Sequence, residues 1–166
     1  MIKFNNKGHL IPNLNIPCSL EEFKKTFMEE IPTPKRKELH QKFEDYLSSL
    51  FEVIKTDQKL IIWVNGSFTT KVDAPNDLDL VVFLPFDLIE KHETELIRLK
   101  YPKSLENFEV DAYLVKTYPQ ENLKYPLYEG DRLYWMEHFS KTKVNRRGTK
   151  FPKGFLEITL GQIDYK

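Results

Sequence analysis

The chain has 166 residues, its 25 basic and 25 acidic side chains cancel, and Cys18 is its only cysteine. This length can bury one sizeable core, so we expect a single domain over residues 1–166. The balanced charge excludes a general attraction for nucleic acid or acidic lipid, and such binding would require a local patch. A single cysteine excludes an intramolecular disulfide and is consistent with a cytoplasmic protein. No window of the sequence has the ~20 apolar residues of a membrane-spanning helix.

The N-terminal third predicts an arm followed by two helices. Residues 1–18 hold many turn formers and predict an irregular arm, with a small hairpin near Asn6 to Gly8. The segment SLEEFKKTF that follows has capping-box spacing at its start and predicts a short helix. From Thr33-Pro34 to about Ile54, apolar residues recur at steps of three and four, which predicts the longest helix of the chain.

The rest of the chain alternates predicted strands with predicted helices. KLIIWV, LDLVVFL from Leu78, and FEVDAYLV from Phe108 to Val115 are typical of buried or half-buried strands. A surface helix is expected over Phe86 to Leu99, another helix near Tyr128 to Phe139, and a last strand near Phe155 to Leu160. This interleaving predicts an α/β fold of the α+β kind, with helices packed against a mixed β-sheet.

A Gly-Ser pair, Gly66 and Ser67, directly follows the first of these strands. Glycine allows a sharp turn and a close backbone approach to a ligand, and serine offers a hydroxyl and an amide to phosphate oxygens. A short helix over residues 67–72 would direct further amides at the same anion, and Lys71 could reach a phosphate. The alternatives are an ordinary turn and a lysine on a mobile loop.

Three aspartates follow the Gly-Ser pair at informative positions. Asp77 and Asp79 are two residues apart, so in an extended chain their carboxylates share one face. Asp111 lies inside the third predicted strand, where aspartate is disfavoured unless it has solvent or a charge partner. Carboxylates of this kind are typical Mg²⁺ ligands, although the first two could instead cap a loop and the third could lie on an exposed face.

The succession of a strand, the Gly66-Ser67 turn, the Asp77-x-Asp79 strand and a third strand with Asp111 resembles the nucleotidyltransferase fold of the DNA polymerase beta-like superfamily. The whole chain is also similar to a small bacterial and phage group of minimal nucleotidyltransferase-like proteins. That narrower resemblance is carried by the segments GHLIP, TPKRKELHQ and RGTKFPKGFLEITL.

The resemblance implies that Gly66 and Ser67 hold nucleotide phosphates, while Asp77, Asp79 and Asp111 are catalytic and bind Mg²⁺ or Mn²⁺. It implies transfer of a nucleoside monophosphate from a nucleoside triphosphate such as ATP to a protein, RNA or small-molecule acceptor, with pyrophosphate leaving. The alternative is a binding module of the same fold with little turnover, such as an antitoxin-like or defence-system protein. No membrane partner is expected, and the sequence does not specify the oligomeric state.

Two further features have both a functional and an ordinary interpretation. Residues 141–153, KTKVNRRGTKFPK, form a basic loop without an acid, which could grip a triphosphate, an RNA backbone or an acidic partner, or could be a solvated hairpin. An aromatic set on the late helix could form the wall of a nucleobase pocket or could simply pack: Tyr134, Trp135, His138 and Phe139.

Overall fold

Five strands form one mixed sheet in the computed structural model, which describes residues 2–165. A small antiparallel hairpin precedes it, formed by β1 (Lys3–Phe4) and β2 (Leu10–Ile11). The strands of the sheet are β3 (Asn15–Cys18), β4 (Leu60–Asn65), β5 (Asp79–Pro85), β6 (Asp111–Thr117) and β7 (Phe155–Leu160). Their order is β3-β7-β4-β5-β6, in which β3 is parallel to β7, β5 is parallel to β6, and β4 is antiparallel to both of its neighbours.

The helices lie between the strands along the chain. They are α1 (Leu20–Lys24), α2 (Pro34–Ile54), α3 (Phe86–Lys91), α4 (Glu93–Leu96), α5 (Lys103–Phe108), α6 (Tyr125–Phe139) and α7 (Gln162–Tyr165). A π-helical stretch over Lys25–Glu30 continues α1, and short 3₁₀ turns cover Ser67–Thr69 and Ile97–Leu99. None of the helices in residues 2–165 combines the length and apolar character that a membrane crossing requires.

The larger core lies between α2 and one face of the sheet. Ile62 and Val64 of β4 share one apolar cluster with Leu47 and Leu50 of α2, and all four are fully buried. Burying an aliphatic side chain of this size contributes about 1.5–3 kcal/mol. This face therefore fixes which side of each strand points toward α2.

The opposite face of the sheet carries a smaller aromatic cluster under α6. Trp63 of β4 packs against Phe83 and Phe155, with ring centroids 4.7 and 4.8 Å apart. Phe139 is the one residue of α6 that is fully buried, and its ring lies 5.6 Å from that of Phe155. Because α6 covers this face only partly, one opening remains beside each of its ends.

The expected fold class and most of the predicted elements are confirmed. The long helix ends at Ile54 as expected, and the last strand has the predicted bounds. The capping-box spacing of the first helix is also confirmed, since Ser19 Oγ accepts a hydrogen bond from the Glu22 amide at 3.0 Å. The long helix is capped in the same way, because Thr33 Oγ1 accepts a hydrogen bond from the Arg36 amide at 3.2 Å.

Other predicted bounds are wrong. The arm is not wholly irregular, because β3 within it pairs with β7 and forms an edge of the sheet. The third strand begins at Asp111, because α5 runs to Phe108 and Glu109 ends it with a left-handed backbone at φ 55°. The helix expected over Phe86 to Leu99 is divided into α3, α4 and a 3₁₀ turn, and the helix expected over 67–72 covers only Ser67–Thr69.

Arg36 joins α2 to the loop that follows β4. Its side chain is buried, and its guanidinium donates hydrogen bonds to the carbonyl oxygens of Phe68, Thr70 and Val72, the last two at 3.0 and 2.8 Å. Hydrogen bonds from a charged donor are stronger than neutral ones, and a buried acceptor that loses its donor carries the full desolvation penalty. This one side chain therefore fixes the path of the loop.

We expect Arg36→Leu to lower the free energy of unfolding by about 3 kcal/mol, because three carbonyl oxygens lose their charged donor. Chemical denaturation followed by circular dichroism measures the change. Lys37→Leu is the matched control, since Lys37 is the next residue of α2 and is exposed. Equal stability of the two variants would contradict the assigned role of Arg36.

Candidate functional site

Three polar residues form one row across the sheet. Asn65 of β4 pairs with Asp79 of β5, and Asp79 pairs with Asp111 of β6. Neighbouring strands lie about 4.8 Å apart, and paired residues direct their side chains to the same face. The three side chains are therefore adjacent, on the α6 side of the sheet, where β4 ends and where β5 and β6 begin.

Two oxygen atoms of this row are buried and lack a hydrogen-bond partner among the described residues. They are Asn65 Oδ1 and Asp111 Oδ1. The amide nitrogen of Asn65 donates to the Phe139 carbonyl at 3.4 Å, so only its oxygen is left over. Buried acceptors are almost always satisfied in folded proteins, and each exception costs about 1–3 kcal/mol. Two unsatisfied oxygens on either side of Asp79 mark a place that a donor or a cation would complete.

The Gly-Ser turn holds the remaining aspartate, Asp77. Its Oδ1 accepts hydrogen bonds from the Ser67 amide at 2.7 Å and from the Ser67 hydroxyl, and its Oδ2 accepts one from Lys143 Nζ at 2.7 Å. Gly66 has φ +89°, and a Cβ there would lie 2.6 Å from the Asp77 carbonyl oxygen. Only glycine accommodates both the left-handed backbone and this close approach.

The surroundings of Asp77 and Asp79 shift their pKa values in opposite directions. Burial raises the pKa of Asp79 to about 6, with a further contribution from the negative charge of Asp77 and a smaller one from Asp111. Burial also acts to raise the pKa of Asp77, but hydrogen bonds from Lys143 and Ser67 outweigh it and hold that pKa below its usual value. Such opposed shifts between neighbouring groups are common at functional sites.

Two lysines of the basic loop supply the balancing charge. Lys153 is buried and donates a hydrogen bond from Nζ to the Gly66 carbonyl oxygen at 3.0 Å. Burial lowers the pKa of Lys153 to about 8, against the attraction of Asp79 and Asp77. The hydrogen bond to Asp77 raises the pKa of Lys143. The negative charges of Asp79 and Asp111 raise it further. The loop therefore neutralises part of the acid cluster.

These groups line one cavity of about 490 Å³, a size that accepts a small-molecule ligand. The carboxylates and the Gly-Ser turn form its acidic part. Lysines of the basic loop and aromatic side chains of α6 form the rest: Lys141, Lys143, Lys150, Lys153, Trp135, His138 and Phe139. A cavity with these walls can hold an anion on one side and a planar ring on the other.

The structure brings together five of the six residues that the sequence assigns to the site. Asp77, Asp79, Asp111 and the Gly66-Ser67 turn all line the cavity. Lys71 does not line it, because its amine lies 5.1 Å from the ring centre of Phe4 in the N-terminal arm. The Ser67 amide and hydroxyl both donate hydrogen bonds to Asp77. This is the loop-capping arrangement that the sequence analysis gave as the alternative to a metal ligand.

Sequence reasoning missed Asn65, and it did not distinguish Lys153 from the other lysines of the basic loop. Asn65 gave a usable signal, since it is the polar end of the otherwise apolar run LIIWVN, in which asparagine is disfavoured. Lys153 gave none, because it ends a run of basic residues and nothing local distinguishes the buried lysine from exposed ones. Its role depends on how the loop folds over the turn.

No group of three or more His, Cys, Asp and Glu side chains within residues 2–165 is arranged as a metal site. Both oxygens of Asp77 are engaged, by Ser67 and by Lys143. The donor chemistry nevertheless fits a divalent cation, since carboxylate and amide oxygens are the ligands that Mg²⁺ and Ca²⁺ prefer, and two of these oxygens have no other partner. The Lys143 ammonium shows that the cluster attracts positive charge.

The comparisons with known proteins identify a family but no characterised relative. Residues 2–159 match the family of unknown function DUF6932, so the chain belongs to that family. No curated protein and no solved structure matches the chain.

We expect Asp79→Asn to stabilise the protein at pH 8 in EDTA, because the wild type must keep a partly desolvated carboxylate ionised beside two other acids. The pKa of Asp79 is about 6 in the folded chain and 3.8 in the unfolded chain. The loss of stability is therefore complete above pH 6, shrinks as the pH falls, and is absent below pH 3.8. Urea denaturation at pH 8 and pH 3.5 measures the difference. The control is Asp131→Asn, at an exposed position of α6. Equal stability of Asp79→Asn and the wild type at pH 8 would contradict the predicted cost of the Asp79 charge.

Proposed function

We propose that the chain is a metal-dependent nucleotidyltransferase, which moves a nucleoside monophosphate from a nucleoside triphosphate to an acceptor and releases pyrophosphate. One observation carries the proposal. The row of Asn65, Asp79 and Asp111 keeps two buried oxygens without a partner, in a cavity that also contains Asp77 and a basic loop. Such a site suits phosphoryl chemistry, which depends on positioning and on charge neutralisation.

The carboxylates of Asp77, Asp79 and Asp111 would hold Mg²⁺ or Mn²⁺, with the Asn65 oxygen as a neutral neighbour. When bound, the ion neutralises phosphate charge and activates the attacking oxygen. Ser67 orients Asp77 through its amide and hydroxyl. Asp111, whose Oδ1 accepts no hydrogen bond from the described residues, is proposed to take the proton of the acceptor hydroxyl.

The nucleotide is proposed to lie between the basic loop and α6. Its phosphates would lie against the Gly66-Ser67 turn, where Lys150, and Lys143 once it leaves Asp77, would donate charge-assisted hydrogen bonds. Its base would stack on Trp135, since stacking on an aromatic side chain contributes about 1–3 kcal/mol and tolerates any base. Lys71 has no part in this arrangement, because it lies outside the cavity.

The reaction then follows from these positions. The acceptor oxygen forms a bond to the α-phosphorus, the bond from that phosphorus to the bridging oxygen breaks, and pyrophosphate leaves with the electron pair. The lysines offset the negative charge that grows on the leaving group. A cytoplasmic location, where nucleoside triphosphates are abundant, is part of the same proposal.

A binding module with little turnover is the second candidate, and one observation favours it. Asp77 is already satisfied on both oxygens, by Ser67 and by Lys143, as in a loop that has only a structural role. An antitoxin-like or defence-system protein of this kind would retain the cavity but would not turn over.

We expect nucleoside triphosphates with Mn²⁺ or Mg²⁺ to raise the unfolding temperature of the wild type. Ligand at one hundred times its Kd contributes about 2.7 kcal/mol of stability. Asp111→Asn should abolish the metal-dependent part, and Asp131→Asn should retain it. Thermal denaturation of the purified variants, with each nucleotide and with or without metal, measures both effects.

Pyrophosphate release separates the two candidate functions in the same samples. Release by the wild type in the presence of an acceptor mixture, and its loss in Asp111→Asn, support the enzyme. Nucleotide binding without pyrophosphate release favours the binding module, and the absence of any metal-dependent stabilisation by a nucleotide would contradict the proposed enzyme.

A further inference from the structure

A second cavity, of about 400 Å³, lies over the same face of the sheet beside the N-terminal half of α6. Ile61 borders it, four residues before Asn65 on β4, which is about 14 Å along an extended strand. It shares no lining residue with the first cavity. We call this cavity the cage, and the side chains that decide its chemistry are Trp63, Phe83, Tyr125, Tyr128, Glu129, Arg132 and Glu157.

Four aromatic rings are in contact at the cage, where Trp63 and Phe83 are buried beneath the half-buried Tyr125 and Tyr128. The Trp63 and Phe83 rings meet edge to face with centroids 4.7 Å apart. Phe83 and Tyr128 do the same at 6.2 Å, and Tyr125 and Tyr128 at 5.8 Å. The faces of aromatic rings carry negative potential, so several rings around one space attract a positive charge.

Two carboxylates of the cage have no cationic partner within residues 2–165. Oε2 of Glu157 accepts hydrogen bonds from the Trp63 indole N–H at 2.7 Å and from the Asn15 side-chain amide at 2.8 Å, and both donors are neutral. Neither Glu157 nor Glu129 belongs to an ion pair among the described residues. Both carboxylates therefore remain available to a positive ligand.

Arg132 is the one basic residue in the lining, so two acids and one base leave the cage with a net negative charge. The guanidinium of Arg132 lies 5.7 Å from the ring centre of Trp63. This contact places a cation of the chain itself beside one of the aromatic rings. The net charge and this contact both favour a cation over an anion in the cage.

We propose that the cage binds a small organic cation of the guanidinium or alkylammonium class. The half-buried rings of Tyr125 and Tyr128 receive the charged group, above the buried rings of Trp63 and Phe83. Glu129 and Glu157 provide opposite charge at the edge of the cage. A cavity of this volume accommodates a small molecule. The proposal is independent of nucleotidyl transfer, because it involves none of the residues of the first cavity.

The two tryptophans of the chain provide a direct test, since Trp63 lies in the cage and Trp135 in the first cavity. Methylguanidinium chloride is titrated into ¹⁵N-labelled protein in EDTA at constant ionic strength, and both indole N–H resonances are followed by NMR. N-methylurea, which has a similar shape and no charge, is the control ligand. We expect saturable movement of the Trp63 resonance with methylguanidinium alone, and little movement of Trp135.

Two surface variants identify the charge preference. Glu129→Gln should weaken methylguanidinium binding about two- to fivefold, as for an exposed charge pair. Arg132→Ala should tighten it, because it removes the competing cation of the chain. Equal movement with N-methylurea, movement of Trp135 alone, or no saturable movement would overturn the proposal. The proposal would also be overturned if acetate bound at the cage and Arg132→Ala abolished that binding, because the cage would then be an anion site.

Discussion

The hydrogen-bond register of β4, β5 and β6 is the constraint on which the site depends. It places Asn65, Asp79 and Asp111 in one row. A shift of one residue in any of these strands would turn its polar residue toward α2 and expose an apolar one in its place. The register is fixed from both sides, because Ile62 and Val64 pack toward α2 while Trp63 packs toward α6.

The acid cluster costs stability, and neighbouring elements offset the cost. Asp77 is satisfied by the Gly-Ser turn and by Lys143, whereas Asp79 is half-buried and keeps a raised pKa. Lys153 connects the basic loop to the same turn through the Gly66 carbonyl. Charges collected at one end of a sheet, at the expense of stability, are typical of sites selected for function and not for folding.

Local patterns predicted the elements whose signal is local. The helix from Pro34 to Ile54 and the strand from Phe155 to Leu160 follow from periodicity and capping. The third strand was placed three residues too early, because alternation continues through Phe108 while the left-handed backbone of Glu109 separates helix from strand. Alternation alone does not reveal such a residue.

The candidate site was predictable to the extent that it follows strand geometry. The spacing of Asp77 and Asp79, and an acid at Asp111 within the predicted third strand, were sufficient to group the three carboxylates. Contacts distant in sequence decided the rest. Lys71 lies against the ring of Phe4 instead of in the cavity, and Lys153 is buried because its loop folds over Gly66.

Anomalous scattering from a crystal soaked in Mn²⁺ tests the carboxylate site most directly. We predict a peak within coordination distance of carboxylate oxygens from at least two of Asp77, Asp79 and Asp111, with the Lys143 ammonium displaced from Asp77. A cavity without a peak at saturating Mn²⁺, with Lys143 still paired to Asp77, would contradict the assignment of these residues to a metal site.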